Sequence, residues 1–410
     1  MAHGDSPFET IFHGILKPQA VSRRYASVVL ALCTLAFFAT MVARLVISPV
    51  VPNLTSAFGV SNGTIGLALS GMWVAYATTQ FPSGVLGDRF GERKIILTAV
   101  GGTAVTSLLL TTAPNFPLFF LGTVLLGAVA GLHYSVATTL LARYFDDIGW
   151  AIGVHVAGGP LAGLLAPIAA AVVATQHGWR PAIGIGAAVA VPVFVAFALA
   201  VESPEPRRPD QPLRERFETD AVRELLARPS IRYTTALSVL GAFSWQATAS
   251  FLPTFLSAHH GLSTTTAGAL FSVYFVIHGL TQPILGSLSD RLSRDGVVAG
   301  ALAMAAVGYA VLVLTEQFVV VIAGCVLVGV GMSWGAPLQS RFMDILSDAE
   351  RGAGFGLVRS VYMTIGASGS VVVGVLSDTI GWTVAFGLLA VLASVAVVAI
   401  GVNRALGLGL

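Results

Sequence analysis

Long apolar runs, separated by short polar breaks, cover almost the whole chain. A helix needs about 20 consecutive apolar residues to cross a bilayer. Twelve runs reach this length, at residues 26–56, 64–86, 95–113, 117–142, 149–175, 181–201, 231–257, 264–287, 297–315, 318–342, 353–376 and 383–403. The pattern predicts an all-α membrane protein with twelve transmembrane helices, which we number spans 1 to 12.

One polar stretch, rich in proline, arginine and glutamate, interrupts the pattern at residues 202–230. It divides the chain into six spans and six. We therefore expect a cytoplasmic N-terminal segment at 1–25, a six-helix bundle at 26–201, a cytoplasmic linker at 202–230 and a second six-helix bundle at 231–404. Apolar residues at helical spacing favour short surface helices within 1–25 and 202–230. A disordered tail is the alternative for the N-terminal segment.

The composition indicates that lipid is the solvent for most of the chain. Of the 410 residues, 55% are hydrophobic and only 10% are charged, whereas soluble domains average about 25% charged residues. The formal net charge of +2 argues against a nucleic-acid partner, which needs a basic face. Cys33 and Cys325 lie inside apolar runs, and no Gly-Lys-Ser/Thr phosphate loop occurs. We therefore expect no metal and no cofactor.

The basic residues fall on one side of the predicted bundle. If the N-terminus is cytoplasmic, nearly all of them lie at cytoplasmic loops or span ends; only Arg180 falls clearly outside. The positive-inside rule describes this asymmetry. We therefore predict a multi-pass protein of the cytoplasmic membrane with both termini in the cytoplasm.

The two halves of the chain repeat each other at a fixed offset of 202 residues. The identical pairs include Gly59 with Gly261, Ser61 with Ser263, Thr64 with Thr266, Gly66 with Gly268, Ser70 with Ser272, Gln80 with Gln282, Asp88 with Asp290 and Arg89 with Arg291. The repetition predicts two pseudo-symmetric six-helix bundles. Transporters use such duplication to build a site between two moving halves.

The loop between spans 2 and 3 carries the most specific motif of the sequence. It reads Gly84-Val85-Leu86-Gly87-Asp88-Arg89-Phe90-Gly91-Glu92-Arg93-Lys94, and a degenerate copy runs from Gly286 to Arg294 in the second half. The motif resembles the cytoplasmic loop signature of the major facilitator superfamily (MFS). It departs from that signature at Glu92, where a basic residue is common. The resemblance covers nearly the whole chain and implies the MFS fold.

The same resemblance implies that these loops latch the cytoplasmic side in the outward-open state. Arg143, at the end of span 4, would pair with Asp88. Arg341 would occupy the matching place near Asp290. The first glycine of the motif would let two helices approach closely, and its inner glycine would supply a turn conformation that other residues resist. The expected latch residues are Gly84, Asp88, Arg89, Gly91, Arg93, Arg143, Asp290, Arg291 and Arg341. The alternative is a solvated turn that only sets topology.

Two arginines lie inside spans, where a charge is costly unless it faces a cavity or a partner. Arg44 precedes Pro52 by eight residues, a spacing that resembles the span-1 arginine with which organic-anion transporters of the superfamily grip a carboxylate. A guanidinium suits that task because its planar fork makes two parallel hydrogen bonds to one carboxylate. Arg359 in span 11 is the second candidate. The alternative for each is a side chain that reaches a membrane interface.

The remaining site candidates are uncharged or weakly basic. No carboxylate lies at mid-membrane in the predicted spans, so a central cavity would prefer anionic cargo. Imidazole titrates near neutral pH, so a histidine within a span is a candidate for carrying a coupling proton, with a hydrogen-bonded structural role as the alternative. These histidines are His133, His155 and His278. By the spans that line the cavity in the superfamily, the resemblance also implies substrate contacts for Tyr134, Trp245, Gln246 and Trp334.

We interpret the chain as a monomeric secondary active transporter in the lipid bilayer, not an enzyme. It would move a small-molecule substrate, an organic anion, by alternating access, coupled to protons or to an exchanged anion. The first alternative is proton-coupled efflux of drugs or hydrophobic compounds, which is favoured by residues 158–163, a segment that resembles the Gly-Pro motif of antiporters. The absence of a mid-membrane carboxylate opposes it. A membrane sensor that does not transport is the remote alternative.

Overall fold

The computed structural model describes residues 23–209, 224–347, 350 and 353–410. Within these residues all regular structure is helical, and the twelve predicted spans are confirmed. Span 1 is Arg23–Leu45 continued by Ser48–Val50 and Val51–Phe58, span 2 is Asn62–Phe90, span 3 is Glu92–Thr111, span 4 is Phe116–Gly131 with His133–Leu141, span 5 is Ile148–Val156 with Gly158–His177, span 6 is Trp179–Ala200, span 7 is Pro229–His260, span 8 is Thr264–Arg291, span 9 is Arg294–Leu314, span 10 is Phe318–Gly331 with Met332–Trp334 and Gly335–Ile345, span 11 is Ala353–Gly366 with Ser368–Thr379, and span 12 is Trp382–Ala405. The expected surface helices fall largely in 1–22 and 210–223, outside the described residues.

We call spans 1 to 6 the N-half and spans 7 to 12 the C-half. Ten of the twelve described spans are long and apolar enough to cross a bilayer by length and composition alone. Spans 2 and 7 are less apolar, but with 29 and 32 residues they exceed the length required. Large apolar side chains on outer faces, such as Leu199 and Leu314, remain more than 80% exposed. Such faces fit lipid rather than water.

Proline accounts for two of the helix breaks. It lacks an amide hydrogen, and its ring clashes with the carbonyl four residues earlier. Pro49 stands four residues after Leu45, the last residue of the first helix of span 1. Pro160 stands four residues after Val156, the last residue of the first helix of span 5. The first of these breaks leaves Arg44 in the last turn of its helix, at mid-bundle.

Two crossings between the halves close one end of the bundle. We call the end with the loops after spans 2, 4, 6, 8 and 10 the basic end, and the other the opposite end. At the opposite end span 2 crosses span 11, and span 5 crosses span 8. A β-carbon at Gly66 would lie 2.5 Å from the Ser370 carbonyl oxygen, and one at Gly268 would lie 2.7 Å from the Ala171 β-carbon. The two glycines, which are repeats of each other, allow the same close approach in both halves.

Polar contacts reinforce this closure. Ser48 Oγ donates to the Ser250 carbonyl oxygen at 2.8 Å, and these two residues are 202 positions apart, so the bond lies near the axis that relates the halves. The Asp378 carboxylate on span 11 accepts from the backbone N–H groups of Asn62 (3.1 Å) and Gly63 (2.6 Å) at the start of span 2. A carboxylate is favourable at a helix N-terminus. The opposite end is therefore sealed between the halves.

Candidate functional site

A chamber lies between the two halves and widens into a vestibule at the basic end. The chamber has a volume of about 200 Å³, and the vestibule about 780 Å³. Gln339 and Arg359 line both, so the two spaces adjoin at these side chains. Spans 1, 2 and 5 of the N-half and spans 7, 8, 10 and 11 of the C-half contribute to the chamber wall. The site is thus shared by the halves and open toward the basic end.

Arg44 enters the chamber wall from span 1 and is only 2% exposed. Its Nε donates to the Thr40 carbonyl oxygen at 3.0 Å. Its guanidinium carbon lies 4.0 Å from the ring centre of Tyr76 and 5.2 Å from that of Trp73. None of the ion pairs among the described residues gives Arg44 a carboxylate partner. Two aromatic faces stabilise the cation by about 0.5 to 2 kcal/mol each.

Arg359 lies between the chamber and the vestibule. Its guanidinium carbon is 5.3 Å from the ring centre of Tyr134, a vestibule residue of span 4. Its Nε is buried and has no hydrogen-bond partner among the described residues. The second arginine therefore also faces the pathway, from the C-half.

The chamber wall is cationic and aromatic. Among the described residues that form it there is no aspartate or glutamate; Asp88 lies further out, in the vestibule. The aromatic side chains of the wall are Phe37, Trp73, Tyr76, Trp245, Phe275, Trp334 and Tyr362. Such a wall offers positive charge and flat apolar faces, and no fixed negative charge that would attract a cation.

Trp245 and Trp334 line the chamber, whereas Gln246 does not. Trp245 packs edge-on against Trp73 of the other half, with ring centres 5.3 Å apart. Gln246 is fully buried behind the wall, where its Nε2 donates to the Met363 carbonyl oxygen at 3.0 Å. In this conformation Gln246 on span 7 directs its amide toward span 11, and the substrate contact expected there stays a prediction.

The three histidines occupy two different places. His278 lines the chamber, and its Nδ1 lies 3.2 Å from Ser333 Oγ. His133 and His155 are fully buried behind the chamber in the N-half. Their ring centres are 5.3 Å apart, and no ring nitrogen of either has a hydrogen-bond partner among the described residues.

The chamber residues that the sequence reasoning missed include Phe37, Met41 and Tyr76. Helical spacing could have found them. Residues 37, 41 and 44 fall on one face of span 1, because positions four and seven apart share a helix face. Residues 73, 76 and 80 do the same on span 2. Arg44, once identified, therefore marks the inward-facing stripe of span 1.

At the basic end, Arg143 has a different partner from the one implied by the resemblance. Its Nε donates to Glu92 Oε1 at 2.8 Å, where Asp88 was expected. The Glu92 carboxylate is fully buried, and Arg207 of the linker lies 3.6 Å from the same oxygen. Arg143 also donates to the Glu205 carbonyl oxygen. The departure of this sequence at Glu92 therefore has a local purpose: it holds Arg143 and the start of the linker against the N-half.

The C-half also pairs its charges differently from the expectation. Arg341 binds Asp295 and the Thr234 hydroxyl, not Asp290. Asp290 binds Arg294, one helical turn later. Proximity in sequence does not decide which of several cations a carboxylate takes, because long side chains reach several positions.

The motif glycines also differ from one another. Gly91 has a φ of 93°, which favours glycine. A β-carbon at Gly84 would meet nothing within 4 Å, so the expected close helix approach is absent in this conformation, where Gly84 lines the open vestibule. Arg93 donates to the Val201 and Ala198 carbonyl oxygens at the end of span 6. Arg89 lies over the neighbouring Phe90 ring, and Arg291 ends span 8.

Comparison with known proteins agrees with the helical architecture of the structure. A family model described as the Major Facilitator Superfamily matches residues 33–263 and 234–405. The multidrug resistance protein MdtG of Citrobacter koseri is 28% identical over 293 residues, which cover 67% of this chain and 69% of the relative. The probable nitrate transporter NarT of Staphylococcus epidermidis is 22% identical over 331 residues, covering 80% and 84%.

Solved structures share the architecture. A bacterial homologue of the human lysosomal transporter Spinster, in an inward-facing and unoccupied conformation, matches with a TM-score of 0.78 at 18% identity, covering 94% of this chain and 96% of that one. The nucleoside transporter NupG matches with a TM-score of 0.79 at 15% identity, covering 92% and 99%. At such identities the likeness establishes the fold alone.

Proposed function

This chain belongs to the major facilitator superfamily, and we propose that within it the protein is a secondary active transporter of small organic anions. The family and the transporter relatives make it a multi-pass membrane transporter and not an enzyme. The proposal concerns three properties: the cargo, the ion to which its transport is coupled, and the orientation of the protein in the membrane. Both termini would be cytoplasmic, the membrane would be the cytoplasmic membrane, and the transporter would work as a monomer.

One observation carries the proposal: the buried Arg44 guanidinium lines a chamber without a carboxylate in its described wall. A buried charge is costly without a partner. Aromatic faces compensate only in part, and a charge-assisted bidentate bond to a carboxylate would complete the compensation. Arg359 would add a second positive charge on the vestibule side.

The geometry supports alternating access. In this conformation the opposite end is sealed by the span 2–span 11 and span 5–span 8 crossings, and the chamber opens at the basic end. With the basic end in the cytoplasm this is an inward-open state. An anion held between Arg44 and the C-half wall would let the halves rock, because the site is shared between them. The loop residues around Asp88 and Asp290 would then latch the basic end closed.

A second candidate function is efflux of drugs or other hydrophobic compounds, coupled to protons. The aromatic surface of the chamber favours it, and one relative is named a multidrug resistance protein. The cationic wall favours anions instead, and another relative is named a probable nitrate transporter. The sign of the charge on the preferred cargo distinguishes the two functions.

The test is uptake into proteoliposomes of labelled benzoate, lactate and nitrate, with the lipophilic cation tetraphenylphosphonium as the opposite sign. We expect wild type to prefer an anion, Arg44→Ala to reduce anion transport about 10- to 100-fold, and Arg44→Lys to retain an intermediate rate. Arg180→Ala is the matched control, since Arg180 binds the Ala113 carbonyl oxygen away from the chamber. Undiminished anion transport in both Arg44 variants, or a preference for the cation, would refute the proposal.

A further inference from the structure

The two histidines buried in the N-half each lie next to a helix break, one after it and the other before it. His133 opens the second helix of span 4, directly after the break at Leu132. His155 is the last residue but one of the first helix of span 5, just before the break at Ala157. Both are 0% exposed. The breaks in neighbouring spans thus bring two imidazoles together, with ring centres 5.3 Å apart.

All four ring nitrogens of this pair lack a hydrogen-bond partner among the described residues. A neutral imidazole carries one donor and one acceptor, and burying either without a partner is unfavourable. An apolar ring would fill the same space without that penalty. Both rings lie beside the backbone carbonyl of Cys33 on span 1, a group that accepts hydrogen bonds from an imidazolium. The pair is therefore a buried polar cluster on which the Cys33 carbonyl oxygen can accept at most part of the hydrogen bonds that two imidazoles offer.

One aromatic ring separates the pair from the chamber. Phe37 stacks on His133 with ring centres 6.1 Å apart and lies 5.3 Å from His155. It also contacts Tyr134 at 5.8 Å, and its own side chain lines the chamber. Arg44 lies seven residues further along the same helix, about 10 Å away. A charge on the pair is therefore close enough to act on a charge held at Arg44.

We propose that His133 and His155 form a proton-binding site that takes up one proton together with the anionic cargo. The inference rests on the function proposed above and names its coupling site. A proton on the pair would add a third positive charge near Arg44 and Arg359, which is unfavourable in the empty chamber. A bound anion offsets that charge, so anion and proton would bind with positive cooperativity. The proton would come from hydronium on the vestibule side: an O–H bond of hydronium breaks as an N–H bond forms on one of the two imidazoles, and the reverse transfer to water releases the proton with the cargo.

The groups around the pair are consistent with a shared proton. The titratable or charged residues on the packed elements are Cys33 and Arg44 on span 1, Tyr76 on span 2, Tyr134 on span 4 and Arg359 across the chamber. Glu92, at the basic end of span 3, is engaged by Arg143. No described carboxylate contacts either imidazole, so the negative charge that balances the proton comes from the cargo.

The experiment compares two transport modes in proteoliposomes with labelled benzoate as the probe. His133→Gln, His155→Gln and the double variant cannot hold the proton. We expect each to lose accumulation driven by a pH gradient at least tenfold and to lose the pH dependence of its benzoate affinity, while exchange at equal pH still proceeds at saturating benzoate. His177→Gln, at the exposed end of span 5, is the matched control and should keep both modes.

If the double variant still accumulates benzoate in response to a pH gradient, the proposal is overturned. Wild type that exchanges benzoate but never accumulates it with a pH gradient would overturn the proton site and leave the anion function standing. Wild type that transports no anion would instead refute the proposed function. If a glutamine variant also loses exchange, imidazole-labelled NMR of wild type decides: benzoate should bring out the signal of a buried imidazolium, and its absence contradicts the proposal.

Discussion

Span 1 carries Arg44 into the central chamber, whereas span 7 carries Gln246, the residue 202 positions later, into a hydrogen bond with span 11. The neighbouring positions differ in the same way. Tyr76, whose ring lies under the guanidinium, corresponds to His278, which contacts Ser333 instead. The two halves therefore share a backbone arrangement and differ in the charge that they present to the cargo. The N-half holds the buried Arg44, and the C-half presents Arg359 from span 11 at the vestibule side.

The basic end shows a second difference between the halves. In the N-half, Glu92 at the start of span 3 pairs with Arg143 at the end of span 4. In the C-half, Arg294 at the start of span 9 pairs with Asp344 at the end of span 10, at 2.9 Å. The offsets between the corresponding residues are 202 and 201, so one ion pair persists in place with its polarity reversed. The two halves thus place an ion pair at the same position with opposite polarity.

Burial of these two ion pairs predicts the largest difference between the halves. Glu92 is fully buried, whereas Asp344 is 53% exposed. Glu92→Gln should destabilise the protein by about 3 kcal/mol, because it leaves Arg143 without its charge partner. Asp344→Asn should cost about 0.5 kcal/mol or less. Thermal unfolding of the purified variants in detergent measures both.

Reversal of the N-half pair sharpens the same comparison. The double variant Glu92→Arg with Arg143→Asp gives the N-half the polarity of the C-half, and it should be more stable than either single variant. Equal losses from Glu92→Gln and Asp344→Asn would show that burial does not distinguish the two pairs.

The repeated glycines predict an intermediate effect on conformation. In Gly66→Ala the new methyl group would meet the backbone of Ser370, which cannot move aside as a side chain can. Overpacking of this kind costs about 1 to 3 kcal/mol and should disfavour closure of the opposite end. Gly268→Ala should act in the same direction, because its new methyl group would meet the Ala171 β-carbon at 2.7 Å and the Pro167 carbonyl oxygen at 3.0 Å.

Labelling of the vestibule measures this shift. Ser135→Cys places a thiol in the vestibule, and the natural Cys33 and Cys325 are buried. We expect Gly66→Ala to slow maleimide labelling of that thiol about tenfold, since the basic end closes when the opposite end opens. Gly387→Ala, whose β-carbon meets nothing within 4 Å, is the control. Unchanged labelling in Gly66→Ala would remove the role assigned to the crossing.

The smallest expected effect concerns an exposed pair of the C-half. Hydrogen bonds from Arg228 hold the pKa of Glu350 at about 2, below its ordinary value of 4.5. A pKa lowered by folding gives stability that is present above about pH 4.5 and is lost as the pH falls toward 2. Glu350→Gln should lack this pH-dependent component, and unfolding midpoints between pH 6 and pH 3 measure it. Identical pH profiles for wild type and variant would contradict the assignment.

The fold could be predicted from the sequence because bilayer thickness and the repeat leave few alternatives. Span 7, for example, was expected at 231–257 and runs over Pro229–His260. The position of Arg44 followed from the cost of a charge at mid-membrane. Gln246 could not be placed in the same way, because depth along a span does not reveal which face of the helix looks inward.

Two further features depend on information that a sequence does not carry. The partner of Arg143 depends on side-chain reach, because Asp88 and Glu92 lie only four residues apart beside the loop that Arg143 faces. The empty space beside Gly84 depends on which conformation the halves adopt. A motif identifies the loop, whereas the pairing and packing within it change with state and neighbours.

The central claim, that the N-half supplies the anion-binding cation, is tested most directly by equilibrium binding. Trp73, Trp245 and Trp334 line the chamber, so benzoate binding can be followed by quenching of tryptophan fluorescence. We predict that Arg44→Ala weakens binding at least tenfold, as expected for the loss of a charge-assisted hydrogen bond. Gln246→Ala should bind within about twofold of wild type. Unchanged affinity in Arg44→Ala, or an equal loss in Gln246→Ala, would contradict the account.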